Sequence, residues 1–323
     1  MPVLTQRLKR PAQLIKRLLF PRGGPWARHR HGHHAWSIGL YEGSSPFRLR
    51  ASRRVRNPIL TPLDITDVRA TTVADPFVIR IDQTWNLFFE VLNQQTDRGE
   101  IGLAVSEDGV SWKYRQIVLA EPFHLSYPYV FQHEHAIYMI PETHQARSVR
   151  LYRASRFPTD WSFVCPLLEG GYFADASPVR HEDMWWIFTE TNPQHKFDTL
   201  RLFYAAELTG PWREHPSSPI VAGDPHIARP AGRILSWDGK LFRFAQDDSP
   251  TYGRQVRAFE ITELTPLHYD ERLASRRPIL RPARRGWNRL GMHHADPYHV
   301  SNGRWLVYVD GLGVAPPPGR ALG

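Results

Sequence analysis

The sequence predicts an all-β fold: a five-bladed β-propeller whose last blade is closed by strands from the front of the chain. Three observations predict it. One pattern recurs five times: a short polar entry, a β-rich stretch, a gap of a few residues, then a second β-rich stretch ending in a carboxylate. Self-similarity at roughly 50 residues with short strands marks a propeller, one blade per repeat. Aromatic residues make up 12% of the chain, with 28 Pro and 22 Gly; the former suit pleated half-buried surfaces, the latter punctuate turns. Long periodic helices are absent from residues 36–312. The 323 residues could divide into two domains, but all-β rings of this size are often one.

The repeats follow in order. Ala74-Asp75-Pro76-Phe77-Val78 precedes Trp85 to Glu90, and Tyr127-Pro128-Tyr129-Val130 precedes Ile137 to Glu142. Ala174 to Val179 precedes Trp185 to Glu190, and Arg229-Pro230-Ala231-Gly232 precedes Leu241 to Asp247. Ala295-Asp296-Pro297-Tyr298 precedes Trp305 to Asp310. Third strands are expected at Ile101–Val105, Val149–Tyr152, Leu200–Tyr204 and Val256–Ile261. Outer strands are expected at Gln116–Leu119, Ser162–Leu168, Pro219–Val221 and Pro278–Leu280. The fifth repeat lacks both. Ser37 to Leu40 resembles Glu100 to Leu103, and Asn57 to Leu60 resembles Ser218 to Val221, so residues 36–60 are expected to complete that blade. Closure removes exposed edges that would invite aggregation.

Four segments result: a basic tail over 1–24, a His-rich linker over 25–35, the propeller over 36–312, and a Pro/Gly-rich tail over 313–323. The first segment interleaves Arg7, Lys9, Arg10, Lys16 and Arg17 with apolar residues and is broken by Pro11. It is too charged to span a bilayer and a poor secretory signal. It fits either a segment lying on an anionic membrane surface or a disordered basic tail. The expected location is cytoplasmic, with peripheral attachment at the inner membrane face under the first alternative. His29, His31, His33 and His34 read as linker. The net charge of +9 also suits phosphorylated or acidic glycans. No compact nucleic-acid motif is visible and the other basic residues are scattered, so no nucleic-acid partner is expected. The single cysteine, Cys165, excludes an internal disulfide and reads as a small apolar residue in an outer strand. No phosphate-binding glycine loop, dinucleotide fingerprint or paired-cysteine metal site is present, so no cofactor is expected, though the ring's centre could hold a structural cation.

In a propeller the first strand of each blade lines the central channel, and the second returns to the same face. Asp75, Asp175, Arg229 and Asp296 are therefore expected to meet, ringed by Glu90, Glu142, Glu190, Asp247 and Asp310. So many carboxylates are costly unless they bind cations, pair with arginine or hold protons; Arg229 and Arg233 are the expected pairing partners. Glycoside cleavage needs two carboxyl groups flanking the bond. The competing reading of the outer ring is that strand-end acids satisfy backbone N–H groups. His293 and His294 stand beside the fifth channel strand, to ligate a cation, bind a sugar hydroxyl or hold structure.

Val73 to Val78, followed by an aromatic strand, resembles the first blade of glycoside hydrolase family 43 and its relatives. That resemblance implies that Asp75 is the general base of an inverting hydrolysis and that Asp175, in Asp175 to Val179, orients the acid and tunes its pKa. A closer resemblance runs from Trp36 to Gly311. Phe88-Phe89-Glu90, Gly99 to Ala104, Ser126-Tyr127-Pro128, Tyr138 to Thr143, Gly210-Pro211-Trp212, Ala228 to Arg233 and Ala245-Gln246-Asp247 are similar to the N-terminal domain of glucosamine inositolphosphorylceramide transferases, a domain that also occurs alone in bacteria. The transferase's catalytic domain has no counterpart in this sequence. Where family 43 enzymes take their acid from the fourth blade, this sequence reads Arg229-Pro230. The acid is then expected from Glu142 or Glu190, and Arg229 can bind a carboxylate or phosphate on the ligand.

The expectation is a glycoside hydrolase-like propeller acting on a glycan or glycolipid. Asp75, Asp175, Glu142 and Glu190 are its catalytic candidates. Arg229, Arg233, Glu90, Tyr127, Asp247, His293, His294 and Asp296 are its binding candidates. The alternatives are a non-catalytic glycan-binding module that assists a separate glycosyltransferase, and a glycan-modifying transferase built on the same funnel.

Overall fold

The computed structural model describes residues 34–300 and 303–314. The expected tail over 1–24, most of the expected linker with His29, His31 and His33, and nearly all of the C-terminal tail lie outside the described residues. Alternating aromatic and aliphatic runs fold into five small antiparallel sheets arranged as a five-bladed propeller. The first strand begins at His34, two residues ahead of the expected boundary, and the last ends at Val314.

Blade I comprises β3 (Ala70–Ile81), β4 (Thr84–Asn93), β5 (Arg98–Ser106) and β6 (Lys113–Leu119), paired in sequence order. Blade II repeats this with β7 (Ser126–His133), β8 (Ala136–Glu142), β9 (Ser148–Arg156) and β10 (Asp160–Glu169). In blade III, β11 (Ala174–His181), β12 (Met184–Glu190) and β13 (Thr199–Ala205) carry a split outer edge. Both β14 (Arg213–Glu214) and β15 (Val221–Ala222) pair with β13, so the outer strand expected at Pro219–Val221 is only half of that edge. Blade IV holds β16 (Leu235–Trp237), β17 (Lys240–Asp247), β18 (Gln255–Leu264) and β19 (Tyr269–Leu273). Its outer strand is thus β19 rather than the expected Pro278–Leu280, which contributes only a bridge from Leu280 to Val256. The polar β19 is held from behind by Arg243, which is buried, bonds the Glu271 carboxylate and donates to Ile227 O at 2.8 Å.

Blade V joins the chain's two ends. Its order is β2 (Arg48–Ala51), β1 (His34–Ser45), β21 (Arg304–Val314), β20 (Ala295–Val300). Ten consecutive residue pairs, His34–Val314 through Gly43–Trp305, zip β1 onto β21. Leu60 adds a bridge to Ile38, so the expected closure by residues 36–60 is observed.

Each seam between neighbouring blades is one hydrophobic core. Ile38, Leu40, Leu306 and Tyr308 of blade V meet Val73, Trp85, Leu87 and Phe89 of blade I. Phe88, Ile101 and Leu103 meet Tyr127, Val130 and Met139 in the next seam, and the remaining three repeat the arrangement. Alternation along each strand lets one blade feed two seams. The tryptophans of the second strands are core: Trp85, Trp185, Trp186 and Trp305 are buried. Cys165 is a free, half-buried thiol packed against the blade II–III seam. No helix among the described residues is long and apolar enough to cross a membrane.

Deleting residues 1–60 removes β1 and β2, bares the long edge of β21 and should cost solubility and melting temperature. Deleting 1–24 should change neither. Ile38→Ala, at a fully buried position, should destabilise by about 2–5 kcal/mol in urea denaturation. An unchanged melt for the 1–60 deletion would contradict closure by the front strands.

Candidate active site at the channel mouth

Three blades deliver a side chain to the channel by the same local device. The register shifts between Ala74 and Phe77, Ser126 and Tyr129, and Ala174 and Ser177 are β-bulges at equivalent places in blades I, II and III. Within them Asp75, Tyr127 and Asp175 have φ of 52°, 45° and 52°. Left-handed backbone at a non-glycine residue costs on the order of 1–3 kcal/mol and persists only where its surroundings hold it. Here each bulge N–H donates to a carboxylate of the preceding blade. Asp75 N–H reaches Asp310 Oδ2 at 3.1 Å, Tyr127 N–H reaches Asp75 Oδ2 at 3.3 Å, and Asp175 N–H reaches Glu142 Oε2 at 3.2 Å. Asp310 also accepts from the N–H groups of His293 and His294, both at 3.0 Å. The strand-end acids Asp310 and Glu142 therefore latch one blade to the next, as the backbone-satisfying reading of that ring requires.

The floor of the mouth is closed. Tyr127 Oη accepts from Gly232 N–H at 2.6 Å, lies 2.8 Å from Gly232 O and 2.8 Å from Ser177 Oγ. Gly232 has φ +132°, and a Cβ there would stand 1.9 Å from Ala295 O, so only glycine fits. Arg233 donates to Asp296 Oδ1 at 2.8 Å, Val130 O at 3.0 Å and Val78 O at 3.1 Å, tying blades I, II, IV and V together. Asp296 also accepts from Val78 N–H at 2.6 Å. This corrects the expectation that Asp296 meets Asp75 and Asp175 at the entrance. Blade V has no bulge: Asp296 pairs with Tyr308, two residues below Asp310, and so sits a layer deeper, where it pins the floor. Arg233 and Tyr127, expected to bind ligand, are engaged in the same floor. Asp247 is turned into its own blade, bonded to His226 Nδ1 at 2.7 Å, Gln255 Nε2 at 2.6 Å and Arg257 at 3.3 Å.

Above that floor the structure does bring Asp75, Asp175, Glu142 and Arg229 together, all buried. Arg229 Nε donates to Asp175 Oδ2 at 2.6 Å, and its Nη2 lies 3.6 Å from Glu142 Oε2. Gln246 Nε2 also donates to Asp175 Oδ2, at 2.9 Å. One guanidinium facing two carboxylates can balance one of them. Burial raises Asp175 well above the ordinary carboxylate range against the pull of Arg229. Burial would raise Glu142 too, but His144, whose Nδ1 stands 2.6 Å from Oε1, and then Arg229 outweigh it and hold Glu142 well below. Burial, then the nearby Asp75 charge, pushes Glu90 well up; His124 Nε2 stands 3.4 Å from its Oε1. Burial in turn pushes His124 down to about 4. Burial would lower His293, but Asp310, 2.6 Å from Nδ1, overcomes it and raises the imidazole, while Asp310 is held down. Asp75 Oδ1 stands 3.6 Å from His294 Nδ1 and 4.0 Å from His293 Nδ1.

Glu190 differs from its neighbours. It is fully buried, Oε1 accepts from Asn192 N–H at 2.7 Å, and Oε2 has no hydrogen-bond partner. Burial pushes it up to about 7. Other polar atoms at the mouth lack partners as well: Asp175 Oδ1, Gln246 Oε1, Asp248 Oδ2 and both ring nitrogens of His294. Burial raises Asp248 to about 6. Such groups are costly to leave unmade and suit a ligand rich in hydroxyls.

Sequence reasoning missed the rim. His124, His144, Tyr172 and His195 form a chain of ring contacts beside Glu142. Trp36 stacks on His293 with ring centres 3.9 Å apart, and Tyr252 stands edge-on to both. Their signal was position alone: His124 and His144 fall two or three residues from Tyr127 and Glu142. Asp75, His293 and Asp310 offer converging ligand atoms within 4.8 Å of one another. A cation there would require His293 to give up the proton that Asp310 favours.

The geometry can be set beside known proteins. The family model of the N-terminal region of glucosamine inositolphosphorylceramide transferase 1 matches residues 29–312. The protein of that name from Oryza sativa subsp. japonica is 36% identical over 305 residues, covering 87% of this chain and 40% of the relative. Its namesake from Arabidopsis thaliana is 33% identical over 297 residues, covering 86% and 39%. The chain therefore spans about two fifths of the length of these curated relatives. Among solved structures, a glycosyl hydrolase from Bacteroides ovatus superposes with a TM-score of 0.58 at 10% identity, covering 82% of this chain and 92% of that one. An α-L-arabinanase of Cellvibrio cellulosa, complexed with arabinohexaose, gives 0.53 at 14% identity, covering 73% and 90%. Zg3597, a family 117 glycoside hydrolase of Zobellia galactanivorans, gives 0.52 at 11%, covering 86% and 91%. At these identities the likeness is one of fold.

Arg233→Met strands the buried Asp296 carboxylate and should cost about 3–5 kcal/mol in chemical denaturation. Adding Asp296→Asn should recover part of that loss. Equal stabilities for the single variant and the wild type would contradict the floor's role as a pin.

Proposed function

The chain belongs to the family of glucosamine inositolphosphorylceramide transferase N-terminal domains, and on that premise we propose that it is a carbohydrate-active propeller that works on a glycan or glycolipid by acid/base chemistry at the channel mouth. The observation that carries this reading is Glu190: a buried carboxyl with one unpartnered oxygen, poised near 7, within the field of Arg229 and Glu142. A general acid works best when its pKa lies near the working pH. Glu190 then protonates the leaving oxygen and Asp75 activates water. Asp175 is fixed by Arg229 and Gln246 and acts on charge and position rather than on protons. Glu142 is held ionised and bonded to the blade III bulge, which leaves it a latch and not the acid. Fold similarity to glycoside hydrolases supports the substrate class, and the family's name supports a glycolipid.

A second reading rests on Arg229. A guanidinium stands where family 43 enzymes are expected to carry their acid, and it ties up Asp175. A non-catalytic glycan-binding module that serves a glycosyltransferase would use the same unpartnered polar atoms without turnover.

Turnover on an array of neutral, uronic-acid and phosphorylated glycosides separates the two readings. Asp75→Asn should abolish activity while the fold persists. Glu190→Gln should lower kcat by about 10²–10⁴-fold, less on substrates with good leaving groups. Since the acid must be protonated, activity should fall as pH rises through about 7, and Glu190→Gln should remove that alkaline limb. Saturable glycan binding with no turnover on any substrate would move the binding module ahead.

A further inference from the structure

The arginines that look scattered in sequence gather into one groove. It lies between the outer parts of blades IV and V, has a volume of about 1470 Å³, and is lined by Arg48, Arg50, Arg54 and Arg304 of blade V and by Arg276, Arg277 and Arg281 of the segment after blade IV. All seven are exposed. Glu42 is the one acid among the lining residues, and it pairs with Arg50 at 3.5 Å. Among the described residues, the guanidinium groups of Arg48, Arg54, Arg276, Arg277 and Arg281 have no hydrogen-bond or ion-pair partner. Seven cations around one groove with a single acid among them repel one another unless an anion neutralises them.

The chemistry of the lining narrows the ligand. Every wall cation is arginine and none is lysine. Guanidinium presents a planar fork that meets phosphate two bonds at a time. Seven such forks around one groove suit a ligand bearing several phosphates along its length. The aromatic lining residues are already engaged. Phe47 packs on Trp237 and Phe242, and Tyr41 Oη accepts from Asn288 at 3.0 Å, so no stacking platform is offered to nucleic-acid bases. None of the exposed large apolar side chains lines the groove, so nothing there enters a lipid layer.

We propose that this groove is a binding site for a soluble ligand carrying several phosphate groups, separate from the channel mouth. The separation follows from the strand register. Asp310 at the mouth pairs with Ile38, whereas Gly43, in the groove wall, pairs with Trp305. Five residues of strand part them, roughly 17 Å at about 3.4 Å per residue.

The test is calorimetric titration of the full chain with sodium tripolyphosphate and with orthophosphate at low ionic strength. Tripolyphosphate should bind saturably, more tightly than orthophosphate, and more weakly as salt is added. The double variant Arg276→Gln/Arg277→Gln should lose at least about tenfold in affinity, and Arg48→Gln/Arg281→Gln, one from each side, should lose as much, since each variant removes two charge-assisted phosphate contacts. Arg213→Gln, an exposed arginine of blade III, and Asp75→Asn should bind like the wild type. The Asp75→Asn arm keeps failure of the groove distinct from failure of the channel reading. Four outcomes would each overturn the site: no saturable binding, equal affinity in both groove variants and wild type, equal losses in the Arg213 control, or attachment only to phosphatidylserine vesicles.

Discussion

The zipper between β1 and β21 is the constraint on which the rest depends. A ring of sheets has no free edge only if its ends meet, and here they meet through ten residue pairs inside one blade. The Ile38–Asp310 pair lies within that ladder. Asp310 in turn accepts the N–H groups of Asp75, His293 and His294. Closing the ring therefore fixes the position of the mouth's first carboxylate. Asp75 then accepts from the bulge of blade II, and Glu142 accepts from that of blade III. Backbone geometry that is strained in blades I, II and III is held by a carboxylate on the preceding blade, so the mouth and the ring are stabilised together.

Charge at the mouth is settled by shortage of cations. Arg233 is committed to Asp296 in the floor, which leaves Arg229 to serve Asp175 and Glu142. His144 adds its share to Glu142, and His293 to Asp310. Asp175, despite Arg229, and Glu190 and Glu90 are left buried with too little compensation, and all three shift upward. Protonation is the remaining way for such groups to avoid the cost of a buried charge. On the proposed function Glu190 supplies the proton, and Asp75, bonded by Tyr127 N–H and beside two imidazoles, serves as the base.

Much of this was legible in the sequence. The aromatic repeat ending in an acid revealed five blades, and Ser37 to Leu40 with Asn57 to Leu60 revealed the closure. Two errors have physical causes. The outer strand of blade IV, Tyr-Asp-Glu-Arg-Leu, is exposed and polar, so apolar runs pointed to Ile279-Leu280, which is seam rather than strand. Asp296 shares the Ala-Asp-Pro motif with Asp75, but the bulge that lifts Asp75 is missing from blade V, and a one-residue register change leaves no mark in three letters. The rim histidines and the arginine groove were hidden for another reason: each gathers residues from segments far apart in sequence, which only the folded blades bring side by side.

The central claim is that Glu190 holds a proton near neutral pH because burial is not offset by a cation. NMR titration of the side-chain carboxyl carbons in ¹³C-labelled protein, assigned by loss of one signal in Glu190→Gln, measures this directly. The account predicts a glutamate that titrates near pH 7. A Glu190 signal that titrates in the ordinary carboxylate range, around 4.3, would contradict it.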